Sequence, residues 1–262
     1  MQTGELTQAV KEIALSNGAD LVGVVRVADL PEHAPNISRM LQSARSVVVT
    51  VAKHSLAAIR SEVNHLAQFD TIHAYSECAR AAHRVSRFLE AKGCPSAAIP
   101  AFIPLDMDDP GKGMRGEVCW RRAAVRAGLG SYGENGLLVT PQFGSAIRLS
   151  GVVTSAELDP DSPQEHDTCD HCMRCVEACP VHALAGGGKI NKKLCGEVIF
   201  KFGFRSFQRF MTGIIEGSSE ETRKIAKGYE LRELWQTFMT GNYYYCFKCQ
   251  AQCPASEMPD MR

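Results

Sequence analysis

Cys169-Asp170-His171-Cys172-Met173-Arg174-Cys175-Val176-Glu177-Ala178-Cys179-Pro180 carries more information than any other stretch of this chain. Four cysteines at spacings of x2, x2 and x3, closed by a proline, match an iron-sulfur ligand run. A second run, Cys246-x2-Cys249-x3-Cys253-Pro254, has the same ending but only three thiols, and Cys195 is the upstream candidate for the fourth. Two-residue spacings let one tight loop present three soft thiolates to a cubane. Each proline then turns the chain out of that loop.

Bacterial-type two-cluster ferredoxins use this run with the fourth cysteine on the other cluster. Carried through here, Cys169, Cys172, Cys175 and Cys253 hold one [4Fe-4S] cluster, and Cys195, Cys246, Cys249 and Cys179 hold the other. Structural zinc and disulfides are the alternatives. Zinc favours well-separated ligand pairs, which a triplet followed by Cys-Pro fits poorly. The N-terminus has no leader-like segment and 262 residues do not need covalent staples, so disulfides are disfavoured and a reducing cytoplasm is expected. Cys78, Cys94 and Cys119 have no partner at ligand spacing; the first two read as small buried hydrophobes, while Cys119 keeps a catalytic thiol as a lesser alternative.

Lys plus Arg equals Asp plus Glu, 29 each, so no global field gathers nucleic acid or an anionic membrane. No apolar run approaches the roughly 20 residues that cross a bilayer. Helices and strands interleave through the first 155 or so residues. Strands are expected at 20–25, 46–52 and 97–103, and a long helix at 72–91 stopped by Gly93. The valine-rich 46–52 suggests a sheet covered on both faces. Helical character returns at 117–127, and 137–140 with 146–154 reads as a hairpin around Pro141-Gln142-Phe143-Gly144. Asp159-Pro160-Asp161-Ser162-Pro163 reads as a linker between a domain over 1–160 and a cysteine-bearing one over 161–262, with a helical insertion at 196–245. Within the insertion, Phe200, Phe202, Phe204, Phe207, Phe210 and Met211 form either core or a lid over a cofactor.

Four glycines fall between Gly128 and Gly136. Such a loop either makes close turns or turns its amide groups toward a ligand. It follows a helix rather than a strand, so it is not a dinucleotide fingerprint. The segment from Ala123 to Gly144, then Val153-Thr154 and Leu158-Asp159-Pro160, together with the cysteine pattern, resembles the epoxyqueuosine reductase family, with reductive dehalogenases more distant.

The resemblance implies an α/β (α+β) fold: a nitroreductase-like domain holding cobalamin, followed by a ferredoxin-like two-cluster module. It implies Gly128, Gly130, Ser131, Gly133, Asn135 and Leu137 as cofactor contacts, with FMN as the alternative cofactor. The chain departs from the family where an aspartate is expected as proton donor, since counting back lands on Met114 to Gly116. Asp106 and Glu117 lie nearby and, with Tyr132, are the catalytic candidates; Tyr243, Tyr244 and Tyr245 are further phenols. The family's C-terminal helical repeats, associated with tRNA, do not follow Cys253, so the expectation is a cytoplasmic reductase of a small molecule with no nucleic-acid or membrane partner. Its electrons would come from a one-electron donor such as ferredoxin or flavodoxin. The alternatives are a corrinoid-reducing or electron-carrying partner protein, a flavin-containing reductase, and epoxyqueuosine reduction on tRNA.

Overall fold

The computed structural model describes residues 2–99, 116–241 and 244–256. Its centre is an antiparallel four-stranded sheet in the order β1-β2-β6-β3. Helix α1 (Thr3–Ser16) leads into β1 (Leu21–Arg26), then come α2 (Ala34–Met40) and β2 (Ser46–Lys53). Every β2 residue through Ala52 is buried. Val47, Val49 and Val51 point to one face with Val25, Val153 and Trp120, while Val48 joins Val24 and Val152 on the other. Two-sided burial explains why the segment reads as a continuous apolar run, not an alternating one.

Helices α3 (Leu56–Arg60) and α4 (Asn64–Ala91) follow, then β3 (Ser96–Ile99). Ala74, Cys78, Ala81, Ala82, Val85 and Leu89 form the buried side of α4, and Gly93, at φ 81°, ends it. The helix starts at Asn64 instead of Ile72, because its first turns bury only the small Ala67 and Thr71 and so show little apolar periodicity. Helix α5 (Trp120–Arg126) covers the opposite face.

The expected hairpin does not form. β5 (Leu138–Val139) pairs back onto β4 (Ser131–Tyr132). Thr140 and Gly144 exchange backbone hydrogen bonds, 2.9 Å each, to close a local loop. β6 (Ile147–Thr154) then enters the central sheet between β2 and β3. The turn chemistry was local, whereas the partner of β6 is set by burial between two strands far away in sequence. Gly151 of β6 sits where a Cβ would strike the Val48 carbonyl and the Trp120 ring.

The polar connector is pinned to the sheet. Asp161 accepts from Val24 N (2.8 Å), donates its own N–H to Val24 O (2.9 Å) and pairs with Lys11 (2.5 Å). Beyond it lie α6 (Arg174–Glu177), the hairpin β7 (Leu184–Gly186) and β8 (Lys189–Ile190), and α7 (Lys192–Ile199). Helices α8 (Phe204–Glu216), α9 (Ser219–Lys227) and α10 (Tyr229–Thr240) form the insertion, and α11 (Lys248–Ala251) is the last α-helix of the described residues. The insertion aromatics pack on one another: Phe207 meets Phe238 at 5.5 Å and Phe202 meets Tyr245 at 4.9 Å between ring centroids. The return segment is tied to the sheet half by Asn64 to Tyr245 O (3.2 Å), Gln68 to Tyr244 O (3.1 Å), Arg60 to Ala251 O (3.1 Å) and Gln250 to Ser145 O (2.7 Å).

Gly151→Ala is expected to destabilise the fold by about 1–3 kcal/mol through overpacking. A fall in the denaturant midpoint with an unchanged m-value is the predicted result.

Candidate functional site

The seven cysteines of the two runs and Cys195 fall into two sets of four, each lining its own cavity. Cys169, Cys172, Cys175 and Cys253 line a small cavity together with Gly133, Glu134, Asn135 and Met173. Cys179, Cys195, Cys246 and Cys249 line one wall of a separate cavity of about 800 Å³. In the first ring, His171 and Met173 take left-handed φ values of 57° and 60°, which curls the loop so that successive thiols face inward. Ser131 Oγ accepts from the N–H groups of Thr168 (2.9 Å) and Cys169 (3.4 Å), fixing the loop's entry. In the second ring, α7 carries Cys195 behind the Asn191 cap and α11 carries Cys249.

Electrostatics largely follow these two sets, with Cys175 of the first also acting on Cys249 of the second. Burial, then the facing Cys253, Cys169 and Cys172, pushes the Cys175 thiol up to about 11. Burial, then Cys246, Cys195, Cys175 and Cys179, pushes Cys249 up to about 12. Cys195 and Cys246 are raised for the same reasons, burial first. Four such thiols do not ionise together unless a cationic centre compensates them, and soft thiolate ligation is how iron does so. Among the described residues no three His, Cys, Asp or Glu side chains converge as ligands of one ion do. The thiols instead ring cavities, which suits a polynuclear cluster.

The large cavity runs between the second ring and the sheet. Its volume lies in the range of small-molecule and cofactor sites. Ile147, Leu149, Trp120 and Leu138 form the sheet-side wall, and Glu32, His33, Asn36, Arg39, Glu117 and Cys119 also line it. Arg148 enters from β6, with its guanidinium carbon 5.3 Å from the ring centroids of both Tyr75 and Tyr244 and 5.9 Å from that of Phe247. It donates to Ile147 O (3.1 Å) and Gln250 Oε1 (3.2 Å), while its buried Nε has no partner among the described residues. The hydroxyls of Tyr75 and Tyr244 are 3.3 Å apart. Packed against Phe247, His54 bonds Asp70 through Nδ1; burial and then the Arg148 charge pull it from the ordinary 6.5 to about 4, against the pull of Asp70.

The glycine loop divides between two roles. Gly128 is packed on the Ser162 carbonyl and Gly130 on that of Val139, so both meet the close-approach demand. Gly133 lines the first ring's cavity, Ser131 ties the loop that carries it, Asn135 lines both cavities and Leu137 the large one. Glu117 lines the large cavity, only 8% exposed and 2.7 Å from Arg39. Tyr132 stands outside that cavity, 40% exposed; burial of part of its ring, then Cys119, raises its pKa against a hydrogen bond with Arg122. Asp106 and Tyr243 lie outside the described residues. Tyr244 lines the cavity, and none of the described insertion residues from 200 to 241 does, so these aromatics serve as the insertion's own packing. Arg148, Tyr75 and His54 escape sequence reasoning. An arginine within the largely buried strand at 146–154 was the one available signal.

The 4Fe-4S binding domain family (Fer4) matches residues 164–185. Epoxyqueuosine reductase of Listeria monocytogenes is 44% identical over 139 residues, which is 53% of this chain and 30% of that protein. Tetrachloroethene reductive dehalogenase of Dehalobacter restrictus is 32% identical over 144 residues, 54% and 24% of the two chains. Each match therefore spans under a third of the curated relative. The fold is shared with a crystal structure of epoxyqueuosine reductase holding an epoxyqueuosine-modified tRNA-Tyr stem loop (TM-score 0.55, 18% identity, 96% of this chain and 65% of that one). It is also shared with a catabolic reductive dehalogenase in complex with 3-bromo-4-hydroxybenzoic acid (TM-score 0.60, 15% identity, 97% and 38%). No helix among the described residues is long and apolar enough to cross a membrane.

Because the folded His54 titrates below its unfolded counterpart, the stability it leaves intact above pH 6.5 is lost as pH falls toward about 4. Between pH 7.5 and pH 5 the wild type should lose on the order of 1–2 kcal/mol from this group. His54→Gln should flatten that part of the profile, as read by denaturant unfolding at the two pH values.

Proposed function

We propose that this chain is an iron-sulfur reductase that passes single electrons through two [4Fe-4S] clusters to a cobalamin in the 800 Å³ cavity, for reduction of a small molecule. The observation that carries this reading is that eight thiols sort into two rings of four, the second of which forms a wall of that cavity. On this reading the organisation is a nitroreductase-like domain over 1–160 followed by a ferredoxin-like module over 161–262. The similarity to epoxyqueuosine reductases and to dehalogenases, one of them described as B12-dependent, supports it.

A bound corrinoid supplies a metal that accepts electrons singly, as the clusters deliver them. The chain's own residues do the rest. Cys172 is exposed, so the first ring is the side at which a ferredoxin or flavodoxin would deliver electrons. Asn135 and Leu137 bound the cofactor space from the glycine loop, and Ile147, Leu149 and Trp120 keep its sheet-side wall apolar. Protons must accompany the electrons, and the Oη atoms of Tyr75 and Tyr244 are placed to hold one. Arg148 lies beside both rings, its guanidinium carbon 5.3 Å from each centroid. Glu117 and Glu32 are acids on another part of the lining; Tyr132 is not among the lining residues but interacts with Cys119, which is.

A second reading is epoxyqueuosine reduction on tRNA, favoured by the 44% identity to the Listeria enzyme. Incubation of reconstituted protein, a chemical reductant and an epoxyqueuosine-bearing stem loop separates the two. Product on the stem loop selects the tRNA reading.

Anaerobic reconstitution with iron and sulfide should load about eight irons per chain, four for each cluster. Titration of that protein should then show one equivalent of cobalamin bound and no FMN. Tight FMN binding would replace the corrinoid by a flavin, and corrinoid binding without turnover of any small substrate would favour a corrinoid-reducing partner protein. Binding of neither cofactor contradicts the proposal.

A further inference from the structure

Glu134 has no part in the chemistry proposed above, yet its carboxylate is tied to two segments outside the glycine loop. Its side chain is 12% exposed and lines the cavity of the first thiol ring. Oε1 lies 2.6 Å from His171 Nδ1, and Oε2 accepts the N–H of Gly187. His171 stands between Cys169 and Cys172 at φ 57°, and Gly187 is at the tip of the β7–β8 hairpin at φ 58°. One carboxylate therefore joins three segments: the glycine loop, the ligand loop and the hairpin that follows Cys179.

We propose that Glu134 is a positioning residue for the first iron-sulfur site, clamping the Cys169–Cys175 loop against the β7–β8 hairpin. This rests on the reading that the ring holds a cluster. The ligand loop needs such a clamp because two of its non-glycine residues, His171 and Met173, occupy the sparsely populated left-handed region, which persists only when the surroundings over-determine it. The hairpin is shaped for the same contact. A Cβ at Gly186, φ 78°, would lie 2.9 Å from Met173 Cε and 3.1 Å from Glu134 Oε2. Gly136 likewise leaves room for the Gly188 carbonyl, 2.6 Å from where a Cβ would stand. A carboxylate beside thiolates gains nothing from charge, so its place there is explained by its two tethers. The His171–Glu134 pair is exposed on the histidine side, so its effect on global unfolding is small and its effect on the ring is local.

The test is anaerobic reconstitution of wild type, Glu134→Ala and Glu134→Gln as full chains, followed by iron release to a ferrous chelator and redox titration monitored by electron paramagnetic resonance. Cys253→Ser identifies which release phase and which signal belong to the first ring. In Glu134→Ala the first-ring iron should leave at least tenfold faster, or fail to load, and its midpoint potential should move while the second site keeps its rate and potential. Glu134→Gln, which retains one acceptor oxygen, should fall between the two and serves if the alanine variant does not fold. Wild-type release rates and potentials in both variants overturn the proposal. A wild type that loads only about four irons, with the first ring empty, instead overturns the two-cluster reading beneath it.

Discussion

Closure of the two thiol rings is the constraint on which the rest of the structure depends. The first ring takes three cysteines from one tight loop and Cys253 from near the end of the described chain; the second takes Cys179 from the early run and three from later. Neither ring is complete unless residues 244–253 fold back beside 169–179. Buried thiols facing one another are driven away from ionisation, as Cys175 and Cys249 are, and the metal of an iron-sulfur site would offset that charge.

That fold-back also makes the cavity. The returning segment lies on the sheet domain through Gln250, Ala251 and the carbonyls of Tyr244 and Tyr245, and brings Tyr244 over Arg148. One wall is then thiol-bearing and the other is sheet. The glycine loop stands at the junction. Its glycines answer to close backbone approaches, while Ser131, Glu134 and Asn135 reach toward the first ring or both cavities.

What the sequence made legible was local. Cysteine spacing needs only a few residues of context, and β2 declared its two-sided burial by being apolar throughout. The α4 stripe was visible where it used Val85 and Leu89 and invisible where it used Ala67 and Thr71. The failed hairpin shows the limit: Pro141 to Gly144 do turn, but whether 146–154 pairs with its neighbour or enters a distant sheet is decided by tertiary burial. Arg148 and Tyr75 stand 73 positions apart, and only the packing of α4 on β6 joins them. A count of glycines announced close approaches in the loop without telling which backbone approaches.

The most direct test exchanges the two crossing ligands. In anaerobically reconstituted protein, Cys179→Ser and Cys253→Ser are compared by Mössbauer and electron paramagnetic resonance spectroscopy with Cys195→Ser and Cys172→Ser. The account predicts that Cys179→Ser perturbs the same cluster as Cys195→Ser, and Cys253→Ser the same cluster as Cys172→Ser. If Cys179→Ser shares its signature with Cys172→Ser instead, each run holds its own cluster and the crossed rings are wrong.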